Sequence, residues 1–243
     1  MKHSQKPSPK RKGVSQGPRH PIYSLMGYQN PNKSAYDPLI AAQASTYDVN
    51  LDANYSMFVF YDFHKSPIWE TVKAALRGGI LIDLGCGASI FSRYWMTKFA
   101  NDAGARHYVG VDVHFPWNTE GYVKELFGEF KDVEPVGEMR VTLVEADMLR
   151  FASAVRDGSA NFVMNGIDGC VLGYLSHPTA TGGYEEALGN EMVRATKKSG
   201  IVFGHRSEPL FSLKRRIANG GFPGMEYIRS SSPIGDDVLF RKR

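Results

Sequence analysis

From residue 79 onward, short runs of branched apolar residues alternate with longer segments whose apolar positions recur every three or four residues. The first run is Ile80–Leu84, and a helical pattern follows it to about residue 101. His107–Asp112 reads as a second strand, and a helical segment is expected over roughly 118–131. Residues 140–144 and 161–165 read as the third and fourth strands. A helix is expected over 185–198, with Ala187, Leu188, Met192, Val193 and Ala195 apolar and Ser199-Gly200 as its stop. A fifth strand at 201–204 and a helix near 209–219 come next. Two strands in close succession, 225–229 and 237–240, end the pattern around a turn near Pro233 and Gly235. Alternation of strand and helix predicts a parallel sheet with helices on both faces, and the closing pair predicts an antiparallel edge.

The chain before residue 71 is built differently. Residues 1–20 carry Lys2, Lys6, Lys10, Arg11, Lys12 and Arg19 with no acid, and read as a disordered basic tail. Residues 21–70 hold ten of the chain's 29 aromatic residues and read as a cap on the main domain at 71–243. The net charge of +4 therefore misleads, since the 223 residues after the tail sum to −2. A nucleic-acid enzyme more often carries its basic face on the fold itself. The cluster Lys214, Arg215 and Arg216 reads as a solvated helix face. No apolar run approaches the ~20 residues of a membrane span, and the basic start lacks an apolar core of a signal peptide. The two cysteines, Cys86 and Cys170, fit a reducing compartment, and a cytoplasmic location is expected. They have no zinc-ligand spacing, so no metal is expected.

Candidate chemistry sits at the strand ends, where open α/β sheets bind their ligands. After the first strand come Asp83, Gly85, Cys86 and Gly87. Glycines let backbone N–H groups approach a ligand closely. Ile90 stands where a dinucleotide fingerprint would have its third glycine. After the second strand stands Asp112, 25 residues beyond Gly87, followed by Val113. A carboxylate there can accept from both hydroxyls of a ribose. The third strand ends in Glu145-Ala-Asp147-Met148, and Asp157-Gly-Ser-Ala-Asn-Phe162 leads into the fourth. Each acid alone could cap a turn, but three acids in register at successive strand ends are not explained that way.

The Asp-x-Gly-x-Gly turn, Asp112, the Asp147-Met148 pair and the Asp-Gly-Ser-x-x-Phe lead together resemble the class I S-adenosylmethionine (SAM)-dependent methyltransferases. The resemblance covers about residues 70–205 in motifs and extends to the C-terminus in topology. It implies a Rossmann-like, doubly wound, mostly parallel sheet of seven strands with an antiparallel C-terminal edge strand. It also implies SAM as cofactor, with Asp147 on the adenine amino group, Met148 on the ring and Asp112 on the ribose. At the fourth strand end Asn165-Gly-Ile-Asp168 replaces the Asn/Asp-Pro-Pro-aromatic motif of adenine-amine and glutamine methyltransferases, which argues against those classes. Asn165 and Asp168 are candidates for lining the methyl site. His205, after the fifth strand, is the first candidate for a general base, ahead of His177 and His114. Tyr47 is the candidate lid residue of the cap. The expected acceptor is a small molecule. The alternatives are an RNA or protein acceptor reached through the basic tail, a SAM-binding protein without catalysis, and an NAD-dependent oxidoreductase.

Overall fold

A computed structural model gives the architecture. It describes residue 25 and residues 59–87, 90–112, 123–125, 128–165, 181–205, 207–228 and 237–243. The strands are β1 (Ile80–Leu84), β2 (His107–Asp112), β3 (Val123–Glu125), β4 (Gly128–Val136), β5 (Met139–Glu145), β6 (Asn161–Asn165), β7 (Ile201–His205), β8 (Met225–Ile228) and β9 (Asp237–Lys242). The helices are α1 (Trp69–Leu76), α2 (Ile90–Asp102), α3 (Met148–Ala154), α4 (Thr181–Ala195) and α5 (Glu208–Ala218). All nine strands join one sheet, in the order β3-β4-β5-β2-β1-β6-β7-β9-β8. The five central strands, β5 to β7, run parallel, and an antiparallel pair closes each edge.

β1, β2, β6 and β7 are buried along their whole length. Both faces of the sheet are covered, which is why these strands read as continuous apolar runs. Ile80, Ile82 and Leu84 point to one face, with Val109, Val111, Phe162, Met164 and Val202, and pack on α3, α4 and α5. Leu81, Tyr108, Val163, Ile201 and Phe203 point to the other, and pack on α1, α2 and a helical stretch at 59–64. That stretch belongs to the aromatic cap. Phe63 meets Phe203 at a ring distance of 5.4 Å, and Phe60 meets Trp95 at 5.2 Å. The described end of the cap is thus part of the core. At the opposite end of the sheet, Lys242 Nζ donates to the carbonyls of Val193, Arg194 and Thr196 and ties β9 to the end of α4. No helix among the described residues is long and apolar enough to cross a membrane.

Two expectations are corrected. The sheet has nine strands instead of seven. The two additional ones come from the segment expected to be helical at 118–131, whose described part forms the antiparallel hairpin β3–β4. Phe130, Val133 and Val136 are three apart, which is the helical repeat. In the strand, the register with β5 shifts between Val133 and Val136. The pairing is regular from Phe130 to Val133, and one extra residue is accommodated in β4 between Val133 and Val136.

Candidate functional site

The turn after β1 is a left-handed backbone held by its neighbour strand. Gly85 and Gly87 have φ of 74° and 81°, a region where a Cβ is costly. The amides of Gly85 and Cys86 donate to Val111 O at 2.8 and 3.1 Å. Gly87 N donates to Asp112 Oδ2 at 2.8 Å. Asp112 is 5% exposed, so this charge-assisted bond is made out of water and fixes the turn against the end of β2. Cys86 is buried, and its sulfur lies where a side chain on Gly110 would collide, 2.9 Å from the Cβ that residue lacks. Cys86 therefore packs beneath the turn. Asp83 is buried as well, and its Oδ2 accepts from Tyr108 Oη at 2.5 Å.

Next along the edge, β5 ends beside β2, with Asp112 in register with Glu145 and Ala146 N donating to Asp112 O at 2.8 Å. Asp147 is the N-cap of α3, with Oδ1 accepting from Arg150 N at 2.8 Å. Its Oδ2 accepts from Tyr184 Oη at 2.7 Å. A buried carboxylate with two donors still has acceptor capacity, because its two oxygens offer about four lone pairs. Met148, the first residue of α3, is buried in the core on that face.

On the other side of β1, Asn165 and His205 are paired in register at the ends of β6 and β7. Asn165 Oδ1 accepts from His205 N at 3.2 Å, and Nδ2 lies 3.4 Å from Met96 Sδ of α2. Asn165 thus fastens two strand ends to a helix. Two residues on, Ser207 begins α5. Its carbonyl accepts from Leu210 N and Phe211 N, each at 3.0 Å, while its hydroxyl makes no capping bond. Pro209 brings no N–H, and the Leu210 N–H is already taken. Ser207 is fully buried, and its Oγ has no hydrogen-bond partner among the described residues. Ser to Ala at an N-cap ordinarily costs ~1 kcal/mol. Here Ser207→Ala is expected to leave the melting temperature unchanged or raised, because an unbonded buried hydroxyl is itself unfavourable. A clear drop in melting temperature would show that the hydroxyl is bonded.

The strand order sets these groups in a row: Asp147, Asp112, the glycine turn, Asn165, His205. Four spacings of ~4.8 Å place β5 and β7 about 19 Å apart. Asp147 and His205 thus serve opposite ends of the edge and not one small group. Glu208 stands at the start of α5, after β7, and Glu185 of α4 is near enough to feel its charge. Burial pushes the Glu185 carboxyl above its ordinary value, Glu208 adds to this, and Arg215 opposes it. Val113, Tyr47, Asp168, His114 and His177 lie outside the described residues. Sequence reasoning missed Tyr108, Tyr184 and Ser207. Tyr184 continues the stripe of Leu188 and Met192 at four-residue steps, so its only signal was that of a core residue.

No family model and no curated protein matches this chain. Among solved structures, it is similar to a proposed type II methyltransferase from Anaeromyxobacter dehalogenans, with 11% identity and a TM-score of 0.31. The match covers 64% of this chain and 56% of that one, so the chain spans little over half of that protein's length.

Proposed function

We propose that this protein is a SAM-dependent methyltransferase whose acceptor is a small molecule. The observation that carries the reading is the bond from Gly87 N to Asp112 Oδ2, which couples a glycine turn to a buried carboxylate at the next strand end. Asp83, Gly85, Cys86 and Gly87 would form the floor under the amino-acid part of the cofactor, and Asp112 and Val113 would hold its ribose. Asp147 would accept from the adenine amine, with Met148 beside the ring. The chemistry supplied by the bound cofactor is an activated methyl group, whose transfer needs alignment in a dry pocket more than a strong base. Asn165, Asp168 and His205 would face the acceptor, with Tyr47 of the cap over both.

The test uses the full-length protein and SAM labelled in its methyl group, offered separately small-molecule extract, RNA and protein. Label is expected in the small-molecule fraction, and label in RNA or protein instead would overturn the acceptor assignment. Deleting residues 1–20 is a further prediction. SAM affinity, melting temperature and turnover should stay nearly unchanged. Loss of salt-dependent RNA binding on truncation would instead mark a tail-guided RNA enzyme.

A further inference from the structure

We infer that the end of the sheet where the parallel strands begin holds a phosphate-binding site, formed by Arg77, Arg106 and Lys197. It lies about 16 Å from the glycine turn, the length of a five-residue strand, and does not depend on the function proposed for that edge.

Three turns meet there. The turn after α1 carries Arg77 into β1, the turn after α2 carries Arg106 into β2, and the turn after α4 carries Lys197 into β7. Gly78 N donates to Gly104 O at 2.7 Å and Arg106 N to Gly79 O at 2.9 Å, which fastens the first two turns together. Arg77 lies against Gly104, its Cα and Cγ 3.8 and 3.9 Å from the Cβ which that glycine lacks. Lys197 N donates to Ala160 O, next to the start of β6, at 2.9 Å. Its Nζ reaches Gly79, 3.1 Å from where a Cβ would stand. Residues 77, 106 and 197 are far apart along the chain, and the strand order β2-β1-β6-β7 gathers them around one pair of glycines.

The three side chains make no ion pair or hydrogen bond among the described residues. Other cations are matched: Lys73 with Glu70, Lys98 with Asp102, Arg194 with Asp157 and Glu191, Arg216 with Glu186, and Arg241 and Arg243 with Glu226. Arg77 and Arg106 are exposed, so water solvates each of them. Lys197 is half-buried. Burial first, and then the charge of Arg106, push its ammonium below the ordinary lysine value. A cation drawn partly out of water beside a second cation is unfavourable until an anion joins them. A phosphate group suits the set, because guanidinium forks match its oxygens in pairs and the lysine adds a point charge. The dipole at the end of α1 favours a cation beside it, which accounts for one of the three.

The test titrates the full-length protein with tripolyphosphate, and separately with a short single-stranded RNA, over a series of salt concentrations. Two double variants of equal charge are compared with wild type. One is Arg106→Gln with Lys197→Gln. The other is Lys65→Gln with Lys214→Gln, whose ammonium groups lie over the rings of Tyr61 and Tyr227. Every protein keeps the basic tail, so the differences report on the fold. Wild type is expected to bind tripolyphosphate saturably, and the site variant to bind it at least about tenfold more weakly, the value of one charged contact. The control variant should stay within roughly twofold of wild type. That result assigns the site to a small phosphate compound. If RNA alone binds and shows the same selective loss, the three cations hold a phosphate backbone. Binding of neither probe, or equal losses in the two variants, would overturn the inference and leave the three residues as solvated helix-end charges. If the site variant is not recovered folded, Arg106→Gln alone, at an exposed position, carries the comparison against Lys214→Gln.

Discussion

Gly204→Ala is expected to abolish the folded protein. Gly204 lies in β7 with β6 alongside, paired in register with Met164. A Cβ built there lies 1.7 Å from Met164 O and 2.7 Å from its carbonyl carbon. These are backbone atoms of a central strand, so no rotamer change relieves the overlap. β6 and β7 would have to part, and the ladder that carries Asn165 and His205 to the edge would open with them. Effects above 4–5 kcal/mol are exceptional for one substitution, and this one competes with the whole ~5–15 kcal/mol stability of a domain. Gly183→Ala is the control. No atom lies within 4 Å of a Cβ at Gly183, on the exposed face of α4, and the exchange should add up to ~1 kcal/mol. Soluble expression and circular dichroism of the two variants check this directly. A folded Gly204→Ala protein would mean that β6 and β7 are spaced differently.

Asp112→Ala should have the largest effect on ligand binding among folded variants. The substitution removes the acceptor of the Gly87 N–H at 2.8 Å, a bond of the charge-assisted kind worth about 1.5–3 kcal/mol. It also removes the proposed ribose acceptor. SAM affinity is expected to fall at least tenfold, ~1.4 kcal/mol, with lower thermal stability but an intact fold. An unchanged dissociation constant in a folded variant would place the ribose elsewhere. Asp112→Asn keeps an acceptor oxygen without the charge, and should fall between the two.

The parts of the fold that the sequence displayed best are the strands buried on both faces. Ile80–Leu84, His107–Asp112 and Asn161–Asn165 are apolar runs because helices cover each side, and they form at the expected residues. The hairpin at the other edge was hidden because Phe130, Val133 and Val136 fall three apart, as along a helix, and the register shift between Val133 and Val136 leaves no trace in a pattern. The short helix α3 was hidden for another reason. Its start signal is Asp147, a residue that also reads as a ligand acid, and the structure shows the carboxylate capping the helix. At the site, the row of strand-end residues followed from the alternation of elements, because topology alone sets Asp112, the turn and Asn165 side by side. The partners that fix them did not follow. Tyr108 and Tyr184 sit on apolar stripes, 25 and 37 residues from the acids they bond, and spacing along a chain carries no record of such contacts.

Calorimetric titration of the full-length protein with SAM, S-adenosylhomocysteine and NAD in turn tests whether the glycine turn and Asp112 form a SAM site. Saturable one-to-one binding of the first two and none of NAD is expected. Binding of NAD alone would contradict it.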